Sequence, residues 1–349
     1  MKKIYKRIYT TIAEALPAAL KTSWWLTKIM LPITIGVAIL NYLGVIEWIS
    51  DQIAPMFSVM GLPGKAGLVL VSSMLSNLYS AIAVMATLGF DLRSITILSV
   101  MCLIAHNLIL ETMVQQKSGA KASFIVPLRI LAALLMGFVM NWVLPEQMTG
   151  YLMFDSSPEV PQSWSELFIN WFTTTIPLTI KMVAVVITLN LLQSLLREFG
   201  VVDLLIYPLR PFMKLFGLDC STSFLWIIAN MIGLAYGGAV LINEAQKNNV
   251  THKDAVLFNT HIALSHSLLE DTFIFIAIGV GAGWLILPRM CLAIIAVWIQ
   301  RFIIDRKKSY NICAPGLDMY RKQPAVIQQA SFILLYSLFR FDDVCFPNG

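Results

Sequence analysis

The feature that most constrains this chain is a succession of eight long apolar runs, at about 28–49, 65–88, 94–114, 123–145, 168–196, 222–246, 254–276 and 284–304. Most approach the roughly 20 residues that a helix needs to cross the hydrocarbon core of a bilayer. Hydrophobic types make up 58% of the 349 residues and charged types only 13%, about half the charged share of a soluble domain. A soluble fold of this length cannot hide that much apolar surface in one core, so lipid is the expected solvent for much of it. Two shorter, proline-containing amphipathic stretches, 50–63 and 197–220, separate the first run from the second and the fifth from the sixth.

The formal net charge of +5 is concentrated in clusters that flank apolar runs: Lys2, Lys3, Lys6 and Arg7, then Arg301, Arg306, Lys307 and Lys308. Those are the positions of positive-inside anchors. The aromatic-interleaved basic patch that nucleic-acid binding requires is absent, so no nucleic-acid partner is expected. Glu14, Pro17 and Lys21 interrupt any signal-peptide core near the N-terminus. Residues 1–27 instead read as an amphipathic interfacial segment ending near Trp24-Trp25. The five cysteines are scattered, without metal-ligand spacing, and read as small buried hydrophobes.

The chain also repeats itself. Leu43-Gly44-Val45-Ile46-Glu47 is echoed 156 residues later by Phe199-Gly200-Val201-Val202-Asp203, and the same shift pairs Pro55 with Pro211 and Gly61-Leu62 with Gly217-Leu218. Farther on the shift is 160, pairing His106 with His266, Glu111 with Asp271, Thr112 with Thr272, Gly119 with Gly279 and Arg129 with Arg289. Leu31-Pro32-Ile33-Thr34-Ile35 likewise resembles Ile176-Pro177-Leu178-Thr179-Ile180. Matches in conserved order that include rare residue types indicate an internal duplication.

Charge sets the relative orientation of the halves. The linker 146–165 carries Glu146, Asp155 and Glu159 and no basic residue, which places it outside; the basic loops within 197–253, the N-terminus and the 306–308 cluster read inside. Passing from an inside start to an outside linker takes an odd number of crossings, yet the first half has four apolar runs. The conflict resolves if 65–88 and 222–246 enter and leave on one side. Both are interrupted by polar or flexible residues, Ser76-Asn77 with Tyr79-Ser80 in the first and Asn230 with Tyr236-Gly237-Gly238 in the second. The expected fold is therefore an all-α polytopic membrane protein of two inverted-topology repeats, each with about three transmembrane helices plus a re-entrant, broken helical hairpin. The expected segments are 1–27 interfacial, 28–145 first repeat, 146–165 extracytoplasmic linker, 166–305 second repeat and 306–349 cytoplasmic tail.

Irregular backbone at membrane depth survives only where protein buries it or water lines it. Asn77 and Tyr236 in the hairpins, with the repeated His106, Glu111, Thr112 and His266, Glu270, Asp271, Thr272, are the candidate substrate-binding residues. Histidine and carboxylate inside an apolar run are costly and usually face a bundle interior. On a straight helix His106 and Glu111 stand roughly 140° apart, so His106 is expected to find its partner elsewhere, whereas His266 and Glu270, four residues apart, share a face. Three readings stay open: a site for a polar solute or coupling ion, a polar clamp joining the halves, or a transition-metal site, although no compact metal-ligand spacing occurs. Arg129 and Arg289 are expected to form structural ion pairs with Glu111 and Asp271, or to snorkel. No nucleophile constellation, Walker motif or phosphate loop appears, so neither an enzyme nor a primary pump is expected, and no cofactor.

The segment His106-Asn107-Leu108-Ile109-Leu110-Glu111-Thr112 followed by Lys117-Ser118-Gly119, with its echo His266-Ser267-Leu268-Leu269-Glu270-Asp271-Thr272, resembles the nucleoside-recognition or Gate domain. That domain occurs in concentrative nucleoside transporters, in the membrane part of the ferrous-iron transporter B and in spore maturation proteins A and B. The resemblance covers roughly 30–305 and is nearest to stand-alone bacterial membrane proteins with two Gate repeats. It implies a multi-pass inner-membrane transport protein with both termini cytoplasmic. Its GTP-binding and additional-helix elaborations are absent from this sequence. The expected function is secondary transport or permeation of a small polar solute, a nucleoside among the candidates, with a coupling ion and a homo-oligomeric state both admitted. The alternatives are a non-transporting scaffold of the spore-maturation type and a metal-ion permease.

Overall fold

The computed structural model describes residues 2–153, 161–200, 208–209, 211–219, 222–231, 233, 240 and 251–312. Met1–Ile303 make one compact unit. The described residues form helices without a strand: α1 (Lys2–Tyr42), α2 (Val45–Ser58), α3 (Ala66–Leu75), α4 (Leu78–Leu88), α5 (Leu92–Ala105), α6 (Leu108–Lys117), α7 (Ala122–Val143), α8 (Trp164–Glu198), α9 (Ser223–Met231), α10 (His252–Ser265), α11 (Glu270–Ala277) and α12 (Ala282–Ile312). Among the described residues, five spans are long and apolar enough to cross a membrane: Ile4–Tyr42, Leu92–Lys117, Ala122–Val143, Trp164–Glu198 and Ala282–Arg306. The chain is a multi-pass membrane protein. The second of these spans is α5 and α6 in succession, and α10 with α11 is its counterpart in the second half.

Helix α1 runs without interruption past residue 27, where the sequence suggests the end of an interfacial segment. Its partner is α8, packed antiparallel along it. Arg7 meets Glu198 at 2.8 Å at one end, and the Tyr42 and Trp164 rings meet edge-on, 4.8 Å apart, at the other. Between them Trp171 Nε1 donates to Thr34 Oγ1 over 3.0 Å. Thr34 belongs to the Leu31–Ile35 motif echoed in α8, so the two long helices of the repeat lie against each other.

The first re-entrant hairpin is explicit. Helices of 10 and 11 residues, α3 and α4, are each about 15 Å long, half a hydrocarbon core. Lys65, at the start of α3, donates through Nζ to Leu88 O (2.7 Å) and Gly89 O (2.9 Å) at the end of α4. The hairpin therefore enters and leaves on one side, as the charge argument requires. At its tip Asn77 caps α4, its Oδ1 accepting from Ser80 N at 3.0 Å. In the second half only the entering helix α9 is described; Tyr236-Gly237-Gly238 lie outside the described residues.

Helix α7 returns antiparallel along α5: Arg93 Nη2 donates to Asn141 O at 2.7 Å, and Arg93 Nε to Pro145 O at 3.1 Å. Helix α12 returns toward 211–217, where Trp298 Nε1 donates to Leu215 O (3.0 Å) and Arg301 Nη1 to Gly217 O (3.2 Å). These contacts lie at opposite ends of the molecule. The linker residue Met153 donates its N–H to Ile278 O (3.2 Å) at the end of α11, whereas α6 ends beside the first half of α10, where Gly119 stands against Ala255 and Ser118 Oγ donates to Asn259 Oδ1 (3.0 Å). Interrupted span α5–α6 thus runs from the linker end to the N-terminal end, and α10–α11 runs the other way. The two repeats are inverted.

Residues on α5 and α10 form the centre. Every residue from Ser94 to Ala105, and from Leu257 to Ser265, is buried. Helices buried on all sides carry apolar residues all round. Among their hydroxyls, Thr96, Ser99, Thr260 and Ser265 donate back to carbonyls four residues earlier, which removes these four as unsatisfied groups.

Candidate functional site

The site forms where both central helices stop. His106 ends α5 with ψ 158°, and Asn107 then takes a left-handed turn at φ 47°. His266 ends α10 with ψ 168°, and Ser267 turns at φ 51°. Asn107 and Ser267 are the two non-glycine residues with positive φ among those described, and they are related by the 160-residue shift.

Each break is held from outside its own helix. Asn107 N–H donates to Ser73 O of α3 at 2.8 Å, and Ser267 N–H donates to Ala229 O of α9 at 3.1 Å. Ser73 and Ala229 differ by 156, the other shift of the duplication. The broken helix therefore donates to the entering hairpin helix at equivalent places in both halves, and the second half adds Leu269 N–H to Asn230 O at 3.1 Å. The freed donor finds the carbonyl that the hairpin tip leaves open, which satisfies both groups at membrane depth.

The free carbonyls at the end of each central helix go to arginine. Arg129 donates from Nε to Ile104 O (2.7 Å) and from Nη2 to His106 O (2.8 Å). Arg289 makes the same pair with Leu264 O (3.4 Å) and His266 O (2.6 Å). Both arginines are fully buried, so neither snorkels. A guanidinium at a helix C-terminus both satisfies orphan carbonyls and complements the dipole.

Four more side chains fill the space between the breaks. Glu111, in the first turn of α6, is the hub. Its Oε1 lies 3.0 Å from His106 Nε2, and its Oε2 lies 2.7 Å from Arg129 Nη1 and 3.0 Å from His266 Nε2. Asp271, in the first turn of α11, reaches His106 Nε2 at 3.3 Å. The imidazoles of His106 and His266 face each other with centroids 5.0 Å apart. Arg129 Nη1 and Glu111 Oε2 make their close contact without hydrogen-bond alignment, so that contact is electrostatic in character. Carboxylates in the first turn of α6 and α11 sit where helix dipoles favour negative charge.

Two expectations about pairing change here. His106 and Glu111 do touch, because the chain between them is not one helix: the extended ψ at His106 and the left-handed turn at Asn107 cancel the 140° separation. His266 is not paired with Glu270, because α10 ends at Ser265 and the i,i+4 relationship does not apply. Glu270 instead accepts from Gln193 Nε2 of α8 at 3.0 Å. The Arg129–Glu111 contact is present, whereas Arg289 Nη1 has no hydrogen-bond partner among the described residues.

Among the other candidates, Thr112 and Thr272 are buried with their Oγ1 atoms unpartnered among the described residues. Asn77 stands at the tip of α4 as its cap, and Tyr236 lies outside the described residues. Gln193 escapes the sequence reading, since a glutamine in a long apolar run carries no local motif. His261 escapes it too. Fully buried, it accepts at Nδ1 from Trp226 Nε1 over 3.3 Å and lies 2.8 Å from Ser265 Oγ. The first half has Met101 at the equivalent place, so His261 is invisible to a search for repeated residues.

His106, His266 and Asp271 offer nitrogen or oxygen atoms within 4.8 Å of one another. Geometrically they could surround a cation. The guanidinium of Arg129, 2.7 Å from the shared carboxylate, opposes an additional divalent charge there.

The family described as Gate, nucleoside recognition, matches residues 23–122, which hold α1 from Ser23 onward, the first hairpin and the broken helix. The uncharacterized membrane protein YvoD of Bacillus subtilis (strain 168) is 31% identical over 297 residues, covering 84% of this chain and 93% of the relative.

Proposed function

Because the chain belongs to the Gate, or nucleoside-recognition, family of multi-pass membrane proteins, we propose that it is a secondary transporter or permease for a small polar solute, with nucleosides among the candidates. The observation that carries this reading is the meeting of His106 and Glu111 with His266 and Asp271 at the breaks of two oppositely directed helices. Inverted repeats that share a midplane site can expose it alternately to the two sides by rocking one half against the other. Residues 28–145 and 166–305 are the two bodies in this reading. The acidic linker 146–165 lies outside the cell, and both termini lie on the cytoplasmic side of the inner membrane, following the basic clusters. The polar groups orient the solute; no bond-making chemistry is assigned to them.

The first test is thermal unfolding of the detergent-purified protein against nucleosides, nucleobases, small organic anions and divalent metals. A ligand that binds only the native state raises apparent stability by about 2.7 kcal/mol at a hundredfold excess over its dissociation constant. Uptake of the stabilising solute into proteoliposomes should then be lost in His106→Ala and in His266→Ala, each still folded. Undiminished uptake in both variants would remove the site from the mechanism.

One observation favours a second reading. The charged groups at the centre contact one another, as a polar clamp in a non-transporting scaffold would. A scaffold predicts a co-purifying partner and no solute-dependent stabilisation.

A further inference from the structure

We infer that the cluster between the two halves is a proton-binding site, and that a proton held there is the coupling ion of the proposed transport; this last step rests on the transporter reading. The argument begins with tautomers. His106 Nδ1 lies 3.2 Å from Cys102 O, and His266 Nδ1 lies 2.8 Å from Ile262 O. A carbonyl oxygen only accepts, so both Nδ1 atoms carry hydrogen. In a neutral imidazole the other nitrogen, Nε2, is then a bare acceptor.

Both Nε2 atoms lie close to carboxylate oxygens, although His266 Nε2, Glu111 Oε2 and Asp271 Oδ2 complete no aligned hydrogen bond there. His106 Nε2 has Glu111 Oε1 at 3.0 Å and Asp271 Oδ2 at 3.3 Å, and His266 Nε2 has Glu111 Oε2 at 3.0 Å. An ionised carboxylate accepts only. With neutral histidines and ionised acids, these contacts would set lone pair against lone pair in a buried site. A proton beyond the Nδ1 hydrogen, carried on Nε2 or on the facing carboxyl, relieves that repulsion at each histidine.

Charge decides which proton is labile. Arg129 and Arg289 bring two positive charges; Glu111, Asp271 and the adjoining Glu270 bring three negative ones when ionised. Tyr79 of α4 lies within electrostatic range of Glu270 and Asp271, and Arg197 of α8 within range of Glu270. With Arg197 counted beside Glu270, three positive charges balance three negative ones, and a first added proton makes the group singly positive. The second makes it doubly positive inside a low-dielectric interior, so it is the more weakly held one.

Position then links this proton to movement. The contacts His106–Asp271 and His266–Glu111 both cross between the halves, whereas His106–Glu111 and Arg129–Glu111 lie within one. Loss of the second proton turns a cross-half attraction into a repulsion and favours separation of the halves. By linkage, separation favours its loss. Both directions are what a coupling ion needs.

Nitrogen-15 spectroscopy of the histidine-labelled protein tests this without any solute. There are only four histidines to assign, His106, His252, His261 and His266. Between about pH 5 and 9, at least one of His106 and His266 should change protonation at Nε2 while both keep hydrogen on Nδ1. In Glu111→Gln and in Asp271→Asn, an amide donor replaces an acceptor, and the titration of the facing histidine should shift to lower pH. Two neutral histidines with bare Nε2 atoms and two ionised carboxylates throughout that range would overturn the proposal. So would ring-nitrogen shifts that appear only when zinc is added and vanish with chelator, since a metal would then occupy the place of the protons. The transport step is read separately in proteoliposomes. Solute uptake that is indifferent to an imposed pH gradient, while the histidines titrate as expected, overturns the coupling role and leaves the transporter reading standing. A co-purifying partner with no solute-dependent stabilisation, while the histidines titrate as expected, removes the transporter reading and the coupling role, and leaves the proton site.

Discussion

His266 Nε2 of the second repeat lies 3.0 Å from Glu111 Oε2 of the first, so the acid of one copy of the motif serves the histidine of the other. The duplication has not produced two independent sites. It has produced one site at the seam, with Glu111 touching His106, His266 and Arg129 while Asp271 touches His106. Removing Glu111 should therefore cost more than removing Asp271. Glu111→Ala leaves Arg129 as a buried charge without its counter-ion, a loss of about 3–5 kcal/mol. A double-mutant cycle with His266→Ala should give a coupling energy of about 0.5–3 kcal/mol. Detergent melts of the four proteins check both statements, and a coupling near zero would mean that the cross-half contact carries no energy.

The arginines should be unequal despite equivalent places in the repeat. Each caps two carbonyls at the end of a broken helix, but only Arg129 also neutralises a carboxylate at 2.7 Å. Arg129→Gln is expected to cost about 3–5 kcal/mol and Arg289→Gln about 1–3 kcal/mol. Equal losses would show that Asp271 depends on Arg289 as Glu111 does on Arg129.

At the mouth of the first hairpin, Lys65→Met should loosen the closure between α3 and α4. The ammonium donates to Leu88 O and Gly89 O at a helix end, and hydrogen bonds to charged groups contribute about 1.5–3 kcal/mol each. A loss of about 2–4 kcal/mol is expected, with faster labelling of a cysteine introduced at Thr87. A labelling rate unchanged from the parent would assign the closure to packing alone.

Much of this arrangement is legible in the sequence, for a physical reason. A polar residue inside an apolar run costs free energy, so each of His106, Glu111, Arg129 and their echoes stands out against its surroundings. The inversion follows from loop charge, and Lys65 spanning to Gly89 matches it. The breaks at Asn107 and Ser267 are different. Neither glycine nor proline marks them, because an acceptor carbonyl on another helix holds the turn, and local propensity carries no record of that. The mispairing of His266 with Glu270 has the same origin, since an i,i+4 argument assumes a helix that tertiary contacts have ended. Gln193 and His261 break the repeat's symmetry, so a comparison of halves passes over them.

Gly279 should resist replacement. Its φ is +115°, and a Cβ there would stand 2.0 Å from Tyr151 O of the linker. Backbone cannot yield as a flexible side chain can, and the conformation itself disfavours any L residue. Gly279→Ala is expected to destabilise by more than about 1 kcal/mol and to detach 151–153 from the end of α11, where Met153 N–H donates to Ile278 O. Proteolysis of the linker in proteoliposomes reads the detachment directly. A linker no more susceptible than in the parent would show that this contact is dispensable.

Ser267 offers the opposite test, a substitution that should stabilise. Its φ of 51° is one that L residues adopt at a cost of roughly 1–2 kcal/mol. Its backbone N–H is nevertheless committed to Ala229 O. Glycine keeps that hydrogen bond and takes the same φ without a Cβ penalty, although it loses more entropy on folding. Ser267→Gly should therefore melt at or slightly above the parent temperature, with a net gain of no more than about 1 kcal/mol. Ser267→Val, which keeps the N–H but adds β-branching at positive φ, should melt well below it. If both variants melted alike, the left-handed turn would not be what positions His266 against Glu111, and the break would have to be maintained by the Arg289 contact to His266 O instead.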